Sequence, residues 1–293
     1  MFPGEFDYYA ADSVAEAFDL LDDHPEAELI AGGHSLLPTM KSGLANPDAL
    51  VDISRIDDLQ GIDHGDGVTT IGAGTNYAAI ADDDTLWENV PVFAEAASEV
   101  GDVQVRNRGT IGGNLAHSDP ASDLPAAAIA ADATIVVQGA DGEREVSADD
   151  FFFGMYMTDV QEGELLTRVE FPHQGADATG AYVKKPSPAS GYAMVGVAAA
   201  LELDGDTVES ARVAANGVMD HAVRLDPVEE AIAGETLSED AFEDAAADAA
   251  ADLDEAMMMD DIQASSEFRA QLLSVYAQRA LESAAERSGA WSA

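Results

Sequence analysis

The chain has no cysteine, few cations and no long apolar run. Without thiols it forms no disulfide, and by itself it ligates neither a thiolate zinc nor an iron–sulfur cluster. Thirteen basic residues against 57 acidic ones leave a formal charge of −44. That field repels phosphate backbones and excludes nucleic acid as a partner. No stretch reaches the roughly 20 apolar residues of a membrane-spanning helix. Met1-Phe2-Pro3-Gly4-Glu5-Phe6 lacks the basic and apolar regions of a secretory signal, so the chain reads as soluble and cytoplasmic. There is no Gly-Lys-Ser/Thr phosphate loop, no Gly-x-Ser-x-Gly elbow and no Gly-x-Gly-x-x-Gly after a strand, and no His/carboxylate spacing suits a metal. P-loop, α/β-hydrolase and standard Rossmann readings therefore lack support, and no metal site is expected.

The acidic residues are spread along the chain, as expected of a solvated surface adapted to high salt, where counterions screen self-repulsion. Its 293 residues suffice for two or three domains with their own cores.

Two glycine pairs stand out. Ala31-Gly32-Gly33-His34-Ser35 follows a short apolar run, Glu28 to Ala31, and precedes a short helical stretch. Thr110-Ile111-Gly112-Gly113-Asn114 opens a run of small and polar residues through Asp119-Pro120 to Asp123-Leu124-Pro125. The second run reads as neither buried strand nor amphipathic helix. It reads as backbone held open, because glycine lacks the Cβ that blocks close approach. Two such turns, each followed by a polar residue, can supply backbone N–H groups to one pyrophosphate or can serve as ordinary turns.

Around them the pattern predicts a helix after Asp12-Ser13, a strand at Leu50 to Ile53, and a hairpin over 61–72 with Asp66-Gly67 in its turn. Helices are expected at 75–81, 92–100 and 126–131, and strands at 133–138 and 165–172. A domain boundary falls in His173-Gln174-Gly175-Ala176-Asp177. Beyond it, 180–185, 193–203 and 207–213 read as an antiparallel sheet. An alanine-rich acidic helix is expected over 239–254, and a final one over 266–287 with Phe268, Leu272, Val275 and Tyr276 on one face.

Other candidate residues each have two readings. His34 and His117 either touch a ligand or cap and pack. Asp119 and Asp123 either bond a ribose hydroxyl or belong to the acidic surface. The chain has three lysines, and two are adjacent, Lys184 and Lys185. They serve a phosphate or the electron-rich edge of a flavin, or they form a surface pair. Tyr192 either stacks on a ring or packs.

At the two glycine motifs the sequence resembles the FAD-binding medium subunit of aerobic carbon monoxide dehydrogenases and related molybdenum hydroxylases of the xanthine dehydrogenase family. The likeness runs end to end, through Phe6-Asp7-Tyr8, Leu36-Leu37-Pro38, Asn46-Pro47, Val103-Gln104-Val105-Arg106 and Gly163-Glu164-Leu165-Leu166-Thr167.

The resemblance implies an α+β architecture. Two FAD-binding subdomains of the PCMH type would occupy 1–55 and 56–173. A C-terminal α+β domain like that of the carbon monoxide dehydrogenase flavoprotein, with a small three-stranded antiparallel sheet, would occupy 178–293. It implies non-covalent FAD, its pyrophosphate cradled by Ala31, Gly32, Gly33, His34 and Ser35 and by Thr110, Ile111, Gly112, Gly113 and Asn114. Asp123 would lie near the ribose, and Leu166 and Tyr192 by the flavin ring. Lys184 follows the family's Tyr-x-Lys pattern, here Tyr182-Val183-Lys184, while Pro186-Ser187-Pro188 departs from the basic residues relatives often carry next.

The implied role is electron transfer. Substrate would be oxidised at a molybdenum–pterin centre in a large subunit, with two [2Fe–2S] clusters of a small subunit feeding FAD on this chain. The whole would form a dimer of heterotrimers. A stand-alone FAD oxidase or reductase of similar fold, and a flavin-free binding module, are the alternatives.

Overall fold

The computed structural model describes residues 2–175 and 178–292, so Ala176 and Asp177 of the expected domain boundary lie outside the described residues. The N-terminal part runs β1 (Asp7–Ala10), α1 (Val14–Asp23), β2 (Ala27–Ile30), α2 (Leu36–Ser42) and β3 (Ala49–Asp52). Ser13 caps α1, its hydroxyl accepting the Glu16 N–H at 3.1 Å. The strands form a parallel sheet in the order β1-β3-β2, with Val51 opposite both Tyr9 and Leu29. Its crossovers bury Ala17 and Val51 with Ile53, Ile56 and Leu59.

The middle part carries β4 (Ile62–His64), β5 (Val68–Gly72), α3 (Tyr77–Ala81), α4 (Asp84–Asn89), α5 (Pro91–Glu99), α6 (Val103–Arg106), α7 (Ile111–His117) and α8 (Asp123–Ala130). β6 (Thr134–Gly139), β7 (Gly142–Ser147), α9 (Ala148–Phe151), β8 (Phe152–Gly154), β9 (Met157–Thr158) and β10 (Leu165–Pro172) follow. Five strands pair antiparallel in the order β4-β5-β10-β6-β7, and β8 and β9 make a separate hairpin.

The C-terminal part holds β11 (Ala178–Pro186), β12 (Ala193–Asp204), β13 (Thr207–Asn216), β14 (Val223–Arg224), α10 (Asp226–Ile232), α11 (Glu239–Ala247) and α12 (Ser266–Ser288). The expected three-stranded sheet gains a fourth, two-residue strand, giving β11-β12-β13-β14. Every residue of β12 from Ala193 to Leu201 is buried, because both faces of the sheet are covered. One face gives Tyr182, Ala198 and Ala214 to the core of the middle part. The other gives Ala181, Val197, Ala199 and Val213 to a core closed by α10, α11 and α12.

Two expectations are corrected here and a third is sharpened. The stretch after Thr110 is a helix, α7, because Ile111 and Leu115 are four apart and both fully buried, while the three positions between them carry no large apolar side chain. The acidic helix ends at Ala247, with turns beyond it. In α12 the buried face is Arg269, Leu273, Tyr276, Ala277, Ala280, Leu281 and Ala284. Phe268 and Val275 are each 44 % exposed. The alanines bring the helix close to the sheet, and that close approach fixes its rotation. Arg269 is tolerated inside because its guanidinium donates to the carbonyls of Met194 and Gly217 and pairs with Asp261.

Candidate functional site

Both glycine loops line one cleft of about 360 Å³, set between the N-terminal and middle parts. The first loop leaves β2 and enters α2. A Cβ on Gly32 would overlap the Arg108 carbonyl oxygen and lie 2.8 Å from the Gly109 Cα, so this glycine lets the two loops touch. Gly33 has φ +72°, a conformation that L side chains rarely adopt. Among the described residues no acceptor takes the backbone N–H groups of Gly32, Gly33, His34 or Ser35. Successive free N–H groups in such a turn form a concavity for an anion. The His34 ring nitrogen Nδ1 lies 3.1 Å from the Gly32 carbonyl oxygen, which steadies the turn.

The second loop works differently. Its N–H groups at Ile111 and Gly112 donate to the carbonyls of Thr75 and Ala73, at 3.0 and 2.8 Å, and that of Gly113 donates to the Thr110 hydroxyl at 3.2 Å. Gly112 is a packing glycine, since a Cβ there would lie 2.5 Å from the Ala73 Cβ. Gly113 and Ala116 face the cleft and are exposed. The loop therefore offers a surface without side chains rather than the set of donors expected of it. Thr110→Ala removes the cap of α7 and is expected to cost about 1 kcal/mol in urea unfolding. A wild-type midpoint in that variant would show that the cap carries no weight.

Of the fourteen residues expected at the site, Ala31, Gly32, Gly33, His34, Ser35, Thr110, Gly112, Gly113, Asn114 and Leu166 line this cleft, as does His117. Ile111 does not; it is fully buried in the core beneath.

Asp123 and Lys184 are also off the lining and hold each other. The Lys184 ammonium lies 2.8 Å from the Asp123 carboxylate and donates to the Glu99 carbonyl, and each side chain is 5 % exposed. Tyr182 Oη donates to the other Asp123 oxygen at 2.6 Å. Burial raises the Asp123 carboxyl to about 6, with Lys184 and Tyr182 opposing. The pair therefore ties the start of α8 to β11, and the lysine's charge is answered by a carboxylate of this chain.

Tyr192 lies outside the lining and is 43 % exposed. Burial raises its phenol pKa, with Asp119, Tyr156 and Asp123 adding to the shift. Asp119 accepts the Ala121 N–H at 2.9 Å and so shapes the turn before α8. Lys185 lies at the outer end of β11.

Tyr77, Val160 and Glu164 are cleft residues that sequence reasoning missed. The Asn114 amide donates to Tyr77 Oη at 3.0 Å and accepts from the Ser122 hydroxyl at 2.7 Å. Burial raises the Tyr77 phenol well above its usual value, and the Asp123 charge adds to this. Tyr77 is more than 30 residues in sequence from either glycine motif, and no local signal marks it. Glu164 is held below the usual carboxylate range by hydrogen bonds from Arg144. Among the described residues no cluster of three or more His, Asp or Glu could hold a metal, and no helix is long and apolar enough to cross a membrane.

A cleft of this size, with free N–H groups at one turn, a Cβ-free wall opposite and apolar flanks from Leu29, Ile30, Ile53 and Leu165, defines a nucleotide-cofactor protein of mixed α+β build. Residues 4–174 match the FAD binding domain in molybdopterin dehydrogenase, and residues 180–284 match the CO dehydrogenase flavoprotein C-terminal domain. The carbon monoxide dehydrogenase medium chain of Hydrogenophaga pseudoflava is 37 % identical over 97 % of this chain and 98 % of its own. The glyceraldehyde dehydrogenase medium chain of Sulfolobus acidocaldarius is 39 % identical over 82 % of this chain and 85 % of its own. Among solved structures, the Hydrogenophaga pseudoflava carbon monoxide dehydrogenase lacking the Mo-pyranopterin moiety superposes with a TM-score of 0.92. Its identity is 38 %, over 98 % of this chain and 99 % of the other. Quinoline 2-oxidoreductase from Pseudomonas putida 86 gives 0.92 at 32 % identity, over 98 % and 99 %. The chain belongs to the FAD-binding medium subunits of the molybdenum hydroxylase family, and is an oxidoreductase subunit.

Proposed function

We propose that this chain is the electron-transfer flavoprotein of a molybdenum hydroxylase assembly of the carbon monoxide dehydrogenase type. It would stand beside a large subunit with a molybdenum–pterin centre and a small subunit with [2Fe–2S] clusters, as a dimer of heterotrimers. The observation that carries the reading is the turn at Gly32 to Ser35, with four N–H groups free and the Gly112-Gly113 wall facing the same cleft. The absence of cysteine supports placing the clusters on a partner.

Bound FAD supplies the redox ring that takes electrons from a donor and gives them to an acceptor. The residues of this chain bind and orient. The turn at Gly32 to Ser35 receives the pyrophosphate, and Gly113 leaves room for its approach. Leu29, Ile30, Ile53, Leu165 and Leu166 exclude water from the apolar parts of the dinucleotide. Tyr77, fixed by Asn114 and Ser122, turns a polar edge into the cleft, and the buried Asp123–Lys184 pair braces the wall behind it. Among the described residues of the lining, Glu164 is tied up by Arg144 and the His34 ring lies against the Gly32 carbonyl, which favours the relay reading over a self-sufficient oxidase. The charge of −44 supports a site in a salt-rich cytoplasm.

The test is uptake of FAD by the purified chain in molar salt. One FAD per chain is expected, with a gain of about 2.7 kcal/mol at a hundredfold excess over Kd. A chain that stays colourless and gains no stability sinks the reading and leaves the flavin-free module. Flavin reduction by carbon monoxide, aldehyde or a purine with this chain alone would instead establish the stand-alone enzyme.

A further inference from the structure

Two residues with side chains adopt a left-handed backbone next to the cleft, Ser118 at φ +48° and Tyr156 at φ +58°. Glycine or asparagine usually fills such a position, so a bulky residue there is worth explaining. The two are joined, because the Tyr156 N–H donates to the Ser118 carbonyl at 3.2 Å. This bond fastens the turn of the β8–β9 hairpin to the C-terminal end of α7. It also brings the Tyr156 ring onto His117, with centroids 4.9 Å apart and planes inclined by 37°. His117 lines the cleft. Backbone strain held in place by surrounding contacts is characteristic of sites where a side chain must be aimed.

The surroundings point the same way. In a chain with 57 acidic residues, positions 151–158 carry no charged side chain. Phe153, Met155, Tyr156 and Met157 are each about half exposed, between 47 and 54 %, and Tyr192 is 43 % exposed. Burial raises the phenols of both Tyr156 and Tyr192, and the Asp119 carboxylate adds to each shift. A half-exposed ring beside a cleft, on a hairpin that carries no charged side chain of its own, suits a flat, partly apolar ligand moiety.

We infer that Tyr156, propped on His117 and the left-handed hairpin turn, is a binding residue for the ring end of the dinucleotide and screens that ring from bulk water. The inference rests on the FAD reading above. It adds the β8–β9 hairpin to the cofactor site and gives the strained turn a task. The glycine loops hold the phosphates and the hairpin covers the ring, so the two contributions separate experimentally.

The experiment uses the full chain loaded with FAD. Tyr156→Gly removes the ring and suits the left-handed backbone, so the variant is expected to melt no lower than wild type. It is expected to retain FAD through the intact loops, with severalfold brighter flavin emission, since a stacked tyrosine quenches it, and severalfold stronger quenching by iodide. Tyr156→Phe is expected to match wild type in both. Loss of FAD by a Tyr156→Gly chain that melts normally also supports the assignment. Emission and iodide quenching equal to wild type in Tyr156→Gly overturn it while leaving the FAD reading intact. A wild-type chain that binds no FAD overturns both.

Discussion

Gly32→Ala is expected to yield a chain that emerges from desalting without FAD, with its unfolding free energy lowered by about 3 kcal/mol, the upper end for overpacking. The added methyl overlaps the Arg108 carbonyl oxygen and presses on the Gly109 Cα at 2.8 Å. Both obstacles are backbone, so no side-chain rotation relieves them, and the two loops must part. Parting them moves the free N–H groups of the first turn away from Gly113. The absorbance ratio of flavin to protein after gel filtration reads the first effect, and urea unfolding of the apo chain reads the second. Full flavin occupancy in Gly32→Ala would show that the loop contact is dispensable. By contrast Gly113→Ala meets only the Thr110 hydroxyl, at 2.9 Å, and is expected to be much milder in stability.

The second large effect belongs to Lys184→Met, which leaves the Asp123 carboxylate buried without its cation. Each side chain of the pair is 5 % exposed. Breaking such a pair from one side costs about 3–5 kcal/mol. Its pH dependence has a definite sign. Burial raises Asp123 from 3.8 to about 6 in the folded chain, with Lys184 opposing. A carboxyl raised by folding contributes fully below its unfolded value and loses that contribution as pH rises through the folded one. Without Lys184 the opposition vanishes and the loss at high pH deepens. The deficit of Lys184→Met is therefore expected to be largest at about pH 8 and to narrow towards about pH 5, where Asp123 takes up a proton. Urea unfolding of both chains at the two pH values measures it. A deficit that is the same at both would mean that Asp123 is not the group responsible.

Much of the site was legible because its glycines are a backbone requirement, and such requirements survive in a single sequence. Gly32, Gly33, Gly112 and Gly113 were found together with their neighbours, and all line the cleft. Their individual roles were not legible. Gly112 faces Ala73, and the N–H groups of the second loop are used inside the protein, facts that depend on β5 and on the turn after it. Asp123 and Lys184 each have two readings in the sequence, and only the fold shows that one stands at the start of α8 and the other on β11, where they pair with each other.

The strands were legible from alternation and from turns such as Asp66-Gly67, whereas α4 and α6 are too short for a period to show. On α12 the large side chains of Phe268 and Val275 carry the strongest hydrophobic signal, yet both are exposed. The contact is made by alanines at helical spacing, whose small size gives little hydrophobic signal but permits the closest approach to the sheet.

The two-sided burial of β12 has a consequence for the order in which the protein is made. Tyr182, Ala198 and Ala214 complete the core of the middle part, while their neighbours in the same sheet need α12 to cover them. A nascent chain that has emerged only as far as residue 175 has every residue of both glycine loops but lacks one side of the core beneath α7. It also lacks the lysine that answers Asp123. A chain truncated before Ser266 exposes a sheet face of Val195, Val197, Ala199 and Leu201 to its neighbours. Such a face is prone to aggregation, so the last helix of the chain is also what keeps the sheet from pairing with other molecules.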